Sequence, residues 1–126
     1  MQNNQPIKNI YDLRIYNLAF DLAMDVFKIS AAFPKEEKYS LTDQVRRSSR
    51  SVAANIREGF AKKHYKNIFT RHLVDALGSS EETITWLEFA LSCGYLTREQ
   101  YDTTIDQHHH LSSMIASFIK KWEEGS

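Results

Sequence analysis

Apolar residues recur along most of the chain at spacings of three and four, the period of an amphipathic helix. Leu13, Tyr16, Phe20, Ala23 and Phe27 predict a first helix over about 11–32, closed by Pro34 and the charged run of residues 35–38. Leu41, Val45, Val52, Ile56 and Phe60 predict a second over about 41–63, with Ser40 as N-cap and Asp43 completing a variant capping box. Gly59 falls inside that stripe and marks where this helix would bend or end. Phe69, Leu73, Leu77, Ser80, Ile84, Leu87 and Leu91 predict a third helix over about 66–93, with Gly94 as a left-handed C-terminal cap. A fourth, over about 98–122, opens on the capping box of Thr97 and Gln100. Its inner stripe is Tyr101, Ile105, His108, Ser112, Ile115, Phe118, Ile119 and Trp122. Strand alternation is absent. Short connections make consecutive helices antiparallel neighbours, so the expected fold is an all-α, up-down-up-down four-helix bundle. One domain spans 1–126, with residues 1–10 and 123–126 as flexible tails.

Composition agrees with that reading. A chain of 126 residues holds one core, and 25% charged with 42% apolar residues is the balance of a soluble globular protein. Only 4 Gly and 2 Pro interrupt it, which favours long helices. Cys93 is the sole cysteine, so no intrachain disulfide forms and a reducing cytoplasm is the expected location. No apolar run approaches the roughly 18 residues of a membrane span, and the opening MQNNQPIKNI lacks the layout of a secretion signal.

Charge changes the picture more. The formal net charge is zero, yet residues 41–72 hold eight basic and two acidic side chains while residues 73–106 hold one basic and seven acidic. At about 100° per residue from the apolar stripe, Arg46, Arg50 and Arg57 form one basic ridge along a flank of the second helix. Lys62, Lys63 and Lys66 extend it. On the opposite flank Gln44, Ser48, Ser51 and Asn55 leave room for another helix to approach closely, and they are the expected oligomer contact.

Candidate chemistry is sparse. His108, His109 and His110 fan out around a helix instead of sharing a face, so the expectation is one inward histidine and two surface ones, with no metal. Cys93, at a helix C-terminus, reads as a small buried residue. Glu81 and Glu82 diverge by about 100° and make no carboxylate pair. No nucleophile has a base beside it, and no glycine-rich loop cradles a phosphate. Neither an enzyme nor a cofactor is expected.

The stretches LTDQVRRSSRSVAANIREGF and HLVDALGSSEETITWLEFALSCGYL resemble the four-helix-bundle proteins encoded in intervening sequences of bacterial 23S ribosomal RNA genes. Leu41, Gln44, Arg46, Arg47, Ser51, Asn55, Ile56, Glu58 and Gly59 carry the likeness, followed by Gly78, Ser79, Glu82 and Gly94–Tyr95–Leu96. It runs from about residue 11 to 122. Arg57 departs from the family, which often has Ala there. The resemblance implies an antiparallel bundle, a ring-shaped homopentamer and a role with nucleic acid. A related branch accompanies reverse transcriptases of diversity-generating retroelements.

Two functions remain open on the sequence. One is a cytoplasmic, non-enzymatic homo-oligomer that binds RNA or a reverse-transcriptase-type nucleoprotein through the basic ridge, without a membrane or a small-molecule substrate. The other is a structural scaffold in which basic and acidic segments pair between subunits.

Overall fold

Leu, Ile, Val and Ala at helical spacing fold this chain into helices alone. The computed structural model describes residues 6–125, and among them lie four α-helices and no strand. They are α1 (Arg14–Ser30), α2 (Leu41–Ala61), α3 (Lys66–Ser92) and α4 (Arg98–Glu124), with single 3-10 turns at Ile10–Asp12 and Lys35–Glu37. Together they form a four-helix bundle.

Local chemistry sets the ends. Asn9 and Asp12 close a capping box around the first 3-10 turn, and Ile10 is buried in the core. The expected N-terminal tail therefore joins the fold before α1 begins. Of the rest, residues 1–5 and 126 lie outside the described residues, and α4 runs on through Glu124. Ser40 does not cap α2 with its side chain. Its hydroxyl instead donates to Glu37 Oε1 at 2.6 Å, and Leu41 N–H donates to the same oxygen at 3.2 Å. The cap is thus the carboxylate of Glu37, which Tyr95 also approaches from beyond α3 at 2.8 Å. These bonds, Ser40's foremost, hold the Glu37 carboxyl below its ordinary pKa. Gly94 has φ +80°. With it, Tyr95 N–H reaches Ala90 O at 2.8 Å and Gly94 N–H reaches Leu91 O at 3.0 Å, the paired bonds of a Schellman cap. The Thr97–Gln100 box opens α4 as its spacing predicts.

α2 ends at Ala61, close to Gly59 as the place of this glycine in the stripe predicts. A Cβ on Gly59 would lie 2.6 Å from His72 Cβ, so the glycine is what lets α2 lie against α3.

The core falls into two apolar clusters, one around Leu13, Ile56, Phe69 and Ile115, the other around Val26, Val45, Leu87 and Ile105. Between them, along the helices, runs a belt of buried polar side chains. Thr83 donates to Ser48 Oγ at 2.8 Å, Ser80 and Ser112 hydroxyls meet at 2.7 Å, and Thr104 donates to Asp25 at 3.0 Å. His108 belongs to the belt, is 2% exposed, and has no hydrogen-bond partner at Nε2.

Contacts between successive helices come in reversed order. Ser30 at the end of α1 meets Arg46 near the start of α2, while Tyr16 near the start of α1 meets Arg57 near the end of α2. Asn55, Ser51 and Ser48 meet His72, Ser79 and Thr83 in that order. Phe69 packs on Trp122, and Ser80 on Ser112.

Candidate nucleic-acid interface

The six predicted cations divide into two groups. Arg46, Arg50 and Arg57 line the side of α2 that faces α1. Arg46 Nε donates to Ser30 Oγ at 2.8 Å and Nη2 to Phe27 O at 3.2 Å, so this guanidinium closes the last turn of α1. It also covers the Phe27 ring, 4.7 Å from its centroid. Arg57 donates to the hydroxyls of Tyr11 at 3.3 Å and Tyr16 at 3.4 Å, bonds that raise its already high pKa. Arg50 makes only a long approach to Phe27, at 5.9 Å, and no ion pair among the described residues. The ridge is contiguous, but its two ends are bonded to α1. Arg46 and Arg57 therefore keep only part of their N–H groups for a phosphate.

These arginines lie beside aromatic rings because the apolar face of α1 is rotated from its predicted phase. Ile15, Ala19, Leu22 and Val26 face the core. Phe20 is 50% exposed and Phe27 42%, on the flank toward α2.

Lys62, Lys63 and Lys66 gather at the corner joining α2 to α3. Lys62 Nζ pairs with Glu58 Oε2 at 3.1 Å, which lowers the Glu58 pKa. Lys63 sits 4.4 Å over the Phe60 ring. Lys66 Nζ donates to Glu123 O at 3.0 Å and ties the corner to the end of α4. Each ammonium keeps further N–H donors for solvent or a ligand. Between them Tyr65 is 67% exposed. Its backbone is held by Tyr65 N–H to Lys62 O at 2.9 Å and by Phe69 N–H to Tyr65 O at 3.0 Å, so the ring stands on a fixed turn. Tyr65 was the residue sequence reasoning missed, although the signal was present: an aromatic inside the basic run KKHYK.

The flank expected to meet another subunit is occupied within the chain. Ser48 is buried under Thr83, Ser51 accepts from Ser79 at 3.0 Å, and Asn55 bonds Ser51 and His72. These small residues admit α3 of the same chain; of the four, only Gln44 is exposed. Trp122, on the predicted inner stripe of the fourth helix, packs on Phe69 with ring centroids 4.8 Å apart. Cys93 is exposed, not buried, because it follows the last turn of α3 on its outer side. His109 and His110 are exposed and His108 is not, as their fan predicts. Among the described residues no three His, Cys, Asp or Glu side chains gather as metal ligands would. No described helix is long and apolar enough to cross a membrane.

The sequence pattern of the 23S rRNA-intervening sequence proteins matches residues 11–117. Among solved structures, a protein of unknown function from the S23 ribosomal protein family of Bacteroides thetaiotaomicron VPI-5482 is similar. The two are 28% identical over 84% of this chain and 98% of that one, with a TM-score of 0.76. No curated protein matches the chain.

Proposed function

From the premise that this chain belongs to the 23S rRNA-intervening sequence protein family, we propose that it is a non-enzymatic, homo-oligomeric RNA-binding protein whose RNA contact is the α2–α3 corner. The observation that carries this reading is the exposed Tyr65 ring among Lys62, Lys63 and Lys66. Lysines at a corner meet phosphates, and a ring standing on a rigid turn gives an unpaired base a face to stack on. The family's tie to ribosomal RNA intervening sequences agrees with an RNA ligand, free or within a nucleoprotein. The bundle is antiparallel, up-down-up-down, in line with the reversed order of contacts between successive helices. Assembly, as a ring of about five subunits on the family resemblance, would repeat the corner around an axis and let weak sites add through avidity. We place the protein in the cytoplasm.

A scaffold without RNA is the second reading, favoured by the bonds that hold Arg46 and Arg57 to α1. One measurement separates the two. A labelled single-stranded RNA should bind the wild type at low salt, and the triple Lys62→Ala, Lys63→Ala, Lys66→Ala variant should bind at least tenfold more weakly while keeping its assembled mass. No binding by the wild type leaves the scaffold. Undiminished binding by the variant moves the RNA elsewhere.

A further inference from the structure

We propose that the groove between α1 and α2 receives the outer face of α3 from a second copy of the chain, with Arg50 and Arg57 answering Asp75 and Glu82. This rests on the assembly part of the function proposed above and assigns the surfaces that make it.

The groove has a volume of about 300 Å³. Ala53 and Ala54 form its floor, Phe20 and Met24 one wall, Arg50 and Arg57 the other. Phe20, Met24 and Phe27 leave an apolar strip exposed, and among the described residues only the Arg46 and Arg50 guanidiniums lie over Phe27 at one end of it.

The outer face of α3 has matching features. Val74 and Phe89 are each about half exposed. Between them lies Gly78, where an added Cβ would meet nothing within 4 Å. A glycine inside a helix costs roughly 1 kcal/mol relative to alanine. At Gly59 the same chain explains that cost, since His72 occupies the space; at Gly78 it does not. A close neighbour from outside the chain does explain it.

Charge then selects the neighbour. Arg50 and Arg57 are seven residues apart, two helical turns or about 10.5 Å. Asp75 and Glu82 have the same separation, lie on one flank of α3, and bracket Gly78. Asp75 has no hydrogen bond or ion pair among the described residues, and Arg50 has no ion pair. Arg57 is positioned at the groove mouth by the tyrosine hydroxyls, with N–H groups to spare. The net charge of zero fits a protein that carries both halves of the contact. The groove and the outer face of α3 are different surfaces, so each subunit uses both. Copies then add head to tail until their rotation closes a ring.

Light scattering on the full chain tests this with two double variants, Arg50→Glu with Arg57→Glu and Asp75→Arg with Glu82→Arg. Each alone should fall to the mass of a single chain while keeping its helical circular dichroism. Combined in one chain, the four reversals should restore assembly, because each reversed surface again meets its complement. Gly78→Gln, which has open space within the subunit, should also lose assembly without losing helix. A monomeric wild type overturns the assembly reading itself. An assembled wild type whose double variants and Gly78→Gln variant stay assembled keeps that reading and overturns this interface, as does failure of the chain carrying all four reversals to reassemble.

Discussion

At the scale of single residues, burial decides more than residue type. His108 lies in the polar belt with Nε2 unpartnered, and desolvation lowers its pKa from 6.5 to about 4, with His109 adding to the effect and Asp25 opposing it. The unfolded chain accepts a proton at about pH 6.5, whereas the folded chain resists until about pH 4. Stability from this group is therefore intact above pH 6.5 and drains away as the pH falls toward 4, by about 3 kcal/mol in all. Urea unfolding at pH 7 and pH 4.5 should show most of that loss, and His108→Met should show much less. An equal acid loss in the variant would assign the sensitivity to other groups. Gly59 makes the opposite point about size. Helix propensity alone predicts that Gly59→Ala stabilises by about 1 kcal/mol. Contact with His72 Cβ at 2.6 Å predicts the reverse, a cost of about 1–3 kcal/mol from overpacking, readable as a lower midpoint of thermal unfolding.

At the scale of elements, the small residues of α2 acquire a definite role. Ser48, Ser51 and Asn55 form a hydrogen-bonded seam with α3, so the crowding of serines reflects close packing inside the subunit. Ser48→Leu should cost about 1–3 kcal/mol through overpacking and the lost bond with Thr83, and should lower the unfolding midpoint without removing RNA binding. Periodicity alone was enough to read four helices, the Thr97 box and the Gly94 cap, because each depends on neighbours within a few residues. The phase of α1 was not legible. That helix is apolar on two adjacent faces, and the large Phe20 and Phe27 outweigh Ala19 and Val26 in any count of hydrophobic stripes. Which face turns inward depends on how closely α2 and α4 approach, and small residues favour the face carrying Ala19. The same limit hid the partner of the α2 flank. A small surface announces that some helix comes close, but not whether it belongs to the same chain. Ser40 shows it at shorter range, since the Glu37 carboxylate from the preceding turn takes over as cap.

At the scale of the whole molecule, the charge asymmetry separates into two surfaces once the helices are placed. The arginine flank and the acidic outer face of α3 suit contact between copies, while the lysine corner stays free at one end of the bundle. RNA binding at that corner should then show two independent signatures. Each lysine that meets a phosphate of a single strand contributes about −0.7 to the slope of log affinity against log salt, so the triple alanine variant should flatten that slope by about 2. Tyr65→Ala should cost about 1–3 kcal/mol through lost stacking and leave the slope unchanged, because a ring releases no counterions. Titrations of one labelled RNA at four salt concentrations measure both quantities at once. Because phosphates and ring faces carry no base-edge pattern, both losses should be alike for unrelated RNA sequences. Duplex RNA of equal length should be insensitive to Tyr65→Ala, since its bases are already stacked. A slope that changes with Tyr65 and not with the lysines would reverse the roles assigned to them, and an effect confined to one sequence would require base-edge contacts that a bare tyrosine and three lysines do not supply.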